Sequence, residues 1–187
     1  MELKGKNVLF LGSSVTYGYA ADGVSFADLM VETCGINCIK EAVSGTTLAD
    51  IDENSYVSRL KKVDKNTKVD LFICQLSTND SSKKIPLEDT EKAIRFIVSY
   101  VSETFNCPIA FYTNTYIESP GYKNMVDLLY ALQKEFEFGV LDLYNDEEMR
   151  NVSTDYYTRY MKDRIHPTLA GYKEWWLPKF ISFCEQL

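Results

Sequence analysis

Four short segments of this 187-residue chain carry hydroxyl, amide, carboxylate and imidazole side chains. They are Gly-Ser-Ser-Val-Thr at residues 12–16, Ser-Gly-Thr at 44–46, Ser-Thr-Asn-Asp at 77–80 and Asp-Arg-Ile-His-Pro-Thr at 163–168. Together they contain what acyl transfer needs: a nucleophile, a base, an acid that orients the base, and donors for an oxyanion. The four segments can act together only if the fold brings them to one place.

Ser14 is the candidate nucleophile. A serine hydroxyl reacts poorly at neutral pH unless a base lies beside it, and His166 is the only histidine in the chain. Asp163 precedes His166 by three positions in a predicted turn, so its carboxylate could reach the imidazole Nδ1–H and fix the tautomer. Pro167 suits the first turn of a following helix. We therefore expect Ser14, His166 and Asp163 to form a catalytic triad.

Three groups are candidate donors to a developing oxyanion. Gly45 offers a backbone N–H with no side chain in the way, Asn79 offers a side-chain amide, and Ser14 offers its own N–H. Asp80 follows Asn79 directly, and we expect it to hold its loop in place rather than to react.

The elements that must position these residues follow from the apolar pattern. Strands are predicted at residues 8–11, 36–43, 69–76, 108–112 and 140–144, because short apolar runs bounded by turn residues are typical of buried strands. Helical patterns separate most of them, which is the order of repeated βαβ units. We expect one α/β domain over residues 1–187, a three-layer α/β/α sandwich on a five-stranded parallel sheet. The candidate residues would then lie at the carboxyl ends of the strands, where such sheets bind ligands.

Several helices can be placed more closely. Ser25 is a candidate cap for a helix over residues 24–34, and residues 87–105 form a strong amphipathic pattern. A weaker helical pattern includes Leu48, Ile51 and Leu60. The last helix is predicted over residues 168–185 with a bend at Pro178 and with an inward stripe of Leu169, Tyr172, Trp176, Phe180 and Cys184.

Composition excludes some classes of function. The net charge of −7 argues against a protein that binds duplex nucleic acid, and no apolar run is long enough to span a membrane. The first residues lack the apolar core of a signal peptide, so we expect a cytoplasmic protein. The five cysteines are predicted to be free thiols. No cysteine–histidine set suits zinc, and neither a metal nor an organic cofactor is expected.

Six tyrosines lie in or near the predicted loops. We expect them to form a partly buried rim, and the alternative is an aromatic wall for an acyl group or a sugar; they are Tyr17, Tyr19, Tyr116, Tyr156, Tyr157 and Tyr160.

The four polar segments, in this order, resemble the conserved blocks of the SGNH hydrolases, also called GDSL-type esterases and lipases. The resemblance implies a flavodoxin-like sandwich, Ser14 as nucleophile with His166 and Asp163, and an oxyanion hole of Ser14, Gly45 and Asn79. Two positions depart from the family pattern: Ser13 stands where the family usually has aspartate, and Ser77 where it usually has glycine. Thr16 also rules out the Gly-x-Ser-x-Gly elbow of the α/β-hydrolases.

The resemblance implies a serine esterase that acts on a small or soluble carboxylic ester. The compactness of the chain and its tyrosine content suggest that the substrate is an O-acetyl carbohydrate or a short-chain acyl ester. Two alternatives remain open at this point. A flavodoxin-like binding module could cradle a phosphate or flavin mononucleotide with residues 12–16. An acyltransferase could use the same triad with an alcohol in place of water.

Overall fold

The computed structural model describes all 187 residues and contains one parallel five-stranded sheet. The strands are β1 Asn7–Gly12, β2 Asn37–Ala42, β3 Leu71–Gln75, β4 Ile109–Tyr112 and β5 Gly139–Leu141, in the spatial order β2-β1-β3-β4-β5. The order changes direction between β1 and β3, and such a switch point leaves a crevice at the carboxyl ends of the two strands. The predicted parallel sheet and strand number are confirmed.

Helices cover both faces of the sheet. They are α1 Ser14–Tyr17, α2 Phe26–Cys34, α3 Tyr56–Leu60, α4 Thr78–Ser82, α5 Leu87–Thr104, α6 Pro120–Phe136, α7 Glu147–Arg150, α8 Thr154–Tyr160 and α9 Leu177–Gln186, with a 3₁₀ turn at Tyr19–Ala21 and a π-helical segment at Gly171–Trp176. One apolar cluster joins α2 and α9 to one face of the sheet, and a second joins α3, α5 and α6 to the other. The predicted α/β/α sandwich is therefore confirmed.

Aromatic stacking fixes the α2 side of the core. The rings of Phe26 and Phe180 stack with centroids 3.7 Å apart, and Tyr112 of β4 meets Phe180 edge-on at 5.1 Å. Ser25 caps α2 as expected, since its side chain accepts from the Ala27 N–H and its own N–H donates to Asp28. This packing attaches the C-terminal helix to the strands that lead into the polar loops.

The C-terminal helix contains a π-helical segment, and its inward stripe differs from the prediction. Pro178 lies just after the π-helical segment Gly171–Trp176. Proline lacks an N–H and crowds the carbonyl four positions earlier, and the wider π-helical turn accommodates it. Leu169 was expected to point inward but is 40% exposed, whereas Tyr172, Trp176, Phe180 and Cys184 are fully buried. The inward stripe therefore begins one turn later than expected.

Two other predictions are corrected by side chains that bind the backbone. The fifth strand ends at Leu141 rather than at residue 144, because Thr113 Oγ1 accepts from the N–H groups of Leu143 and Tyr144. The weak helical pattern from Leu48 becomes a series of bends, and helix begins only at α3.

All five cysteines are free; Cys74 and Cys184 are buried, and the other three are partly buried. None of the helices has both the length and the apolar character that crossing a bilayer requires.

Candidate functional site

Ser14, His166 and Asp163 form a continuous chain of hydrogen bonds. Ser14 Oγ lies 2.9 Å from His166 Nε2, and His166 Nδ1 lies 2.8 Å from Asp163 Oδ2. An ionised carboxylate only accepts, so Nδ1 carries the ring proton and Nε2 is left to accept from the serine hydroxyl. The three side chains are thus arranged as a nucleophile, a base and an orienting acid would be.

The loop that carries the acid and the base is internally braced. Asp163 Oδ1 accepts from the N–H groups of Ile165 and His166, at 2.7 and 2.8 Å. Partial burial raises the pKa of Asp163, but the hydrogen bonds from the His166 ring and from these two N–H groups lower it by more. The net pKa is below the ordinary value, so Asp163 is an anion at neutral pH.

The turn that holds Ser14 is fixed by Gln75 at the end of β3. Gln75 Oε1 accepts from the Ser13 N–H and from Thr16 Oγ1, both at 2.9 Å. A Cβ on Gly12 would lie 1.7 Å from Thr16 Oγ1, so the close approach of Thr16 requires glycine there. Ser13, which departs from the family's aspartate, is fully buried with its hydroxyl 3.4 Å from Gln75 Oε1.

Arg59 ties the ends of β1 and β2 together, and this role was not predicted from the sequence. Its guanidinium donates to the carbonyls of Gly12, Glu41 and Asn54 at 2.6–2.9 Å, and the residue is only 6% exposed. The available signal was a charged residue between the apolar Val57 and Leu60. Such a buried cation is stabilised only if its donors are satisfied, as they are here by carbonyls.

The three expected oxyanion donors lie on adjacent loops. Neither the Ser14 N–H nor the Gly45 N–H donates to a protein group. Asn79 Nδ2 donates one hydrogen to the Thr46 carbonyl at 2.9 Å, which links the second and third polar segments and leaves its other hydrogen available. Gly45 has φ +79°, a backbone conformation that favours glycine.

The loop beneath Asn79 is held by its neighbours. Ser77 Oγ accepts from the N–H groups of Asn79 and Asp80, so serine supplies a cap where the family usually has glycine. Asp80 is fully buried and accepts from the N–H groups of Leu48 and Ala49. It ties down the loop, as expected.

A rim of tyrosines surrounds these loops. Tyr17, Tyr19, Tyr116 and Tyr156 are 38–61% exposed, while Tyr157 and Tyr160 are partly buried; the prediction of a partly buried rim is correct only for the last two. The Tyr19 ring lies against the imidazole of His166, with ring centroids 5.0 Å apart. Tyr19 therefore covers one side of the candidate base.

Two further residues have positioning roles that the sequence did not predict. Asn114 follows β4, and its amide donates to the Ile165 carbonyl at 3.2 Å, which holds the histidine loop over the sheet. Tyr172 donates its hydroxyl to the Val15 carbonyl at 2.7 Å, which anchors the short helix of Ser14. Asn114 could have been found as the polar residue at the carboxyl end of the fourth predicted strand. No cluster of three or more potential metal ligands occurs in the structure.

Comparisons with known proteins agree with the fold. The model of the GDSL-like lipase/acylhydrolase family matches residues 10–174. A protein from Lactobacillus plantarum superposes with a TM-score of 0.84 at 17% identity, over 98% of both chains. The acetylxylan esterase Axe2 from Geobacillus stearothermophilus gives 0.74 at 18% identity, over 97% of this chain and 95% of that one.

The psychrotrophic esterase EstA from a Pseudoalteromonas species gives a TM-score of 0.76 at 15% identity, over 97% of both chains. A search of curated proteins found no match. At these identities the solved structures establish the fold, and the family match extends over most of the sequence. The chain therefore belongs to the GDSL-like lipase/acylhydrolase family, the SGNH hydrolases, as the four polar segments predicted.

Proposed function

We propose that this protein is a serine esterase that hydrolyses a small or soluble carboxylic ester. The observation that carries the proposal is the unbroken chain from Ser14 Oγ through His166 to Asp163. The family membership supports acyl hydrolysis in general. The alternative of a phosphate- or flavin-binding module leaves this chain of hydrogen bonds without a role.

In the first step, Ser14 Oγ attacks the ester carbonyl while His166 Nε2 removes the hydroxyl proton. The imidazolium that forms lies 2.8 Å from the Asp163 carboxylate, which stabilises the charge and holds the ring in place. The carbonyl π electrons move onto the oxygen, which becomes an oxyanion in a tetrahedral intermediate.

We assign the oxyanion to the N–H groups of Ser14 and Gly45 and to the amide of Asn79. Donors fixed before the reaction stabilise charge that develops in the transition state without having to reorganise. Asn79 is fixed by its bond to the Thr46 carbonyl and by the cap on its helix. Gly45 is fixed in part by Lys83, whose ammonium donates to the Gly45 carbonyl at 2.7 Å.

Collapse of the intermediate breaks the bond to the alcohol oxygen, and the proton on His166 Nε2 passes to that oxygen. A water molecule then repeats the sequence on the acyl-enzyme: His166 takes its proton, and the acid leaves as Ser14 regains its hydrogen. Both half-reactions use the same three side chains, and neither needs a metal or an organic cofactor.

The proposed substrate is an O-acetyl carbohydrate or another ester with a short acyl group. Exposed tyrosines beside the triad, such as Tyr19, offer flat faces of the kind that pack against sugar rings.

A substrate panel tests this proposal. The purified protein should hydrolyse p-nitrophenyl acetate and acetylated sugars faster than p-nitrophenyl palmitate or acyl thioesters. Added alcohols should not divert most of the product to new esters, as they would with an acyltransferase. Turnover of long acyl esters or thioesters alone would overturn the proposed substrate class, and no turnover of any acyl compound would overturn the esterase itself.

A further inference from the structure

A cavity of about 190 Å³ has walls that include Thr115, Tyr116, Arg150 and Tyr157. A second depression, lined by Tyr116, Tyr157, Glu118 and Arg164, opens beside it. The two depressions share Tyr116 and Tyr157 as walls, and we call them together the Arg150 groove. Arg150 at the end of α7 lines the first depression, and Arg164 of the triad loop lines the second.

The Arg150 groove and the triad share a wall. Tyr157 donates its hydroxyl to the Asp163 carbonyl at 3.4 Å, and Arg164 lies between Asp163 and Ile165 in the chain. On the other side, Asn114 donates to the Ile165 carbonyl and directly precedes Thr115 of the cavity wall. The Arg150 groove therefore borders the loop that carries Asp163 and His166.

Arg150 is the one arginine in the chain whose guanidinium has neither a hydrogen bond nor an ion pair. The others each have partners: Arg59 donates to carbonyls, Arg95 binds Glu91 and Glu135, Arg159 binds Glu174, and Arg164 lies 3.8 Å from Glu118. Arg150 instead lies over the Tyr116 ring, with its central carbon 4.1 Å from the ring centroid. Stacking of this kind orients the guanidinium and leaves its N–H edges free to donate.

None of the three acidic residues at positions 146–148, Asp146, Glu147 and Glu148, forms an ion pair with the Arg150 guanidinium. Asp146 and Glu148 both bind Lys179, at 2.7 and 2.9 Å. The Arg150 guanidinium is therefore unpaired, although the protein carries a net charge of −7. Its fork of parallel N–H donors matches a carboxylate.

We propose that the Arg150 groove binds a carboxylate on the ester substrate, so that the enzyme prefers acidic esters to neutral ones of the same shape. This inference rests on the proposed esterase function. Arg150 binds the carboxylate, and Tyr116 and Tyr157 pack against the body of the substrate. The carboxylate belongs either to the alcohol, as in an O-acetylated uronic acid, or to the acyl group, as in a monoester of a dicarboxylic acid.

Two matched substrate pairs separate these sources. One pair is the O-acetyl derivative of methyl galacturonoside against that of methyl galactoside. The other is mono-p-nitrophenyl adipate against the p-nitrophenyl ester of methyl adipate. We expect the wild type to favour the acidic member of one pair by about tenfold in kcat/KM, as for a charged hydrogen-bonded pair, and the preference to fall as salt is added.

Variants assign the preference to one side chain. Arg150→Gln should reduce the acidic-to-neutral ratio of kcat/KM to about one, and Arg150→Lys should retain part of it, since lysine keeps the charge but not the fork. Arg159→Gln removes the same charge from α8 on a side chain that binds Glu174, and it should leave the ratio unchanged.

The outcomes distinguish this inference from the proposed function. If the wild type hydrolyses p-nitrophenyl acetate but shows no acidic preference in either pair, the Arg150 groove is not a carboxylate site. A preference that survives in both Arg150 variants would overturn the inference equally. Absence of all ester hydrolysis would instead overturn the esterase proposal.

Discussion

Ser14 Oγ lies 2.9 Å from His166 Nε2, although 152 positions separate the two residues in the chain. The contact exists because β1 ends at the switch point of the sheet and because the final loop returns over the same edge before the C-terminal helix packs on α2. Tyr172 holds the short helix that carries Ser14, and Asn114 holds the loop that carries His166. The candidate chemistry thus depends on the whole sandwich rather than on a local motif.

Replacing Asp163 by Asn should lower kcat by ~10²–10⁴. The amide can donate to the imidazole and favour the wrong tautomer, which would leave a proton on Nε2 facing Ser14. Steady-state kinetics on p-nitrophenyl acetate measures the loss. Asp155→Asn, on an exposed residue of α8, is the matched control and should retain wild-type turnover. Near-normal turnover in Asp163→Asn would place the orienting acid elsewhere.

The same carboxylate should contribute to stability in a pH-dependent way. Its pKa is lower in the folded state than the ordinary value of ~3.9. A lowered pKa gives stability that is present above the unfolded pKa and is lost as the pH falls through the folded pKa. In urea unfolding between pH 6 and pH 2, the free-energy gap between wild type and Asp163→Asn should therefore be present at about pH 5 and shrink below about pH 4. A gap that widens in acid would contradict the assignment.

Replacing Asn79 by Ala should reduce kcat by ~10²–10³ with little change in KM, because an oxyanion donor acts mainly in the transition state. The control is Asn66→Ala, at an exposed residue whose side chain hydrogen-bonds only to Asp64, and it should leave kcat and KM unchanged. If Asn79→Ala raised KM and left kcat unchanged, the amide would be a substrate-binding group rather than an oxyanion donor.

Arg59→Met should destabilise the protein by about 2–4 kcal/mol, because the carbonyls of Gly12, Glu41 and Asn54 lose a buried donor. Arg59→Lys should recover only part of this loss, since one ammonium cannot reach all three carbonyls. Chemical denaturation measures both. As a control, Arg95→Met removes an arginine from surface ion pairs with Glu91 and Glu135, where we expect a much smaller loss of stability. Equal losses at the two positions would show that Arg59 is not a structural clamp.

The sequence was sufficient for the features that depend on pattern. The apolar run at residues 8–11 predicts a buried strand, whichever strands it pairs with. The alternation of strands and helices predicts that the strands are joined by parallel crossovers. The polar segments then fall at one edge of the sheet, so Ser14, Asn79 and His166 could be grouped before any coordinates.

The features that sequence could not supply depend on side chains that bind the backbone of remote segments. Nothing in the apolar run at residues 140–144 shows that Thr113 will take two of its N–H groups and end the strand. Similarly, the helical spacing from Leu48 does not reveal that Asp80 binds the first N–H groups. Arg59 and Gln75 position the candidate nucleophile through contacts 47–62 residues away in sequence, a range over which periodicity carries no information.

Covalent labelling with a fluorophosphonate probe, followed by peptide mass spectrometry, tests Ser14 as the nucleophile. The wild type should be labelled at Ser14, and Ser14→Ala should take up no label and lose esterase activity. Ser13→Ala is the adjacent control, and it should still be labelled at Ser14. Label retained in Ser14→Ala, or label found on another residue of the wild type, would contradict the central claim.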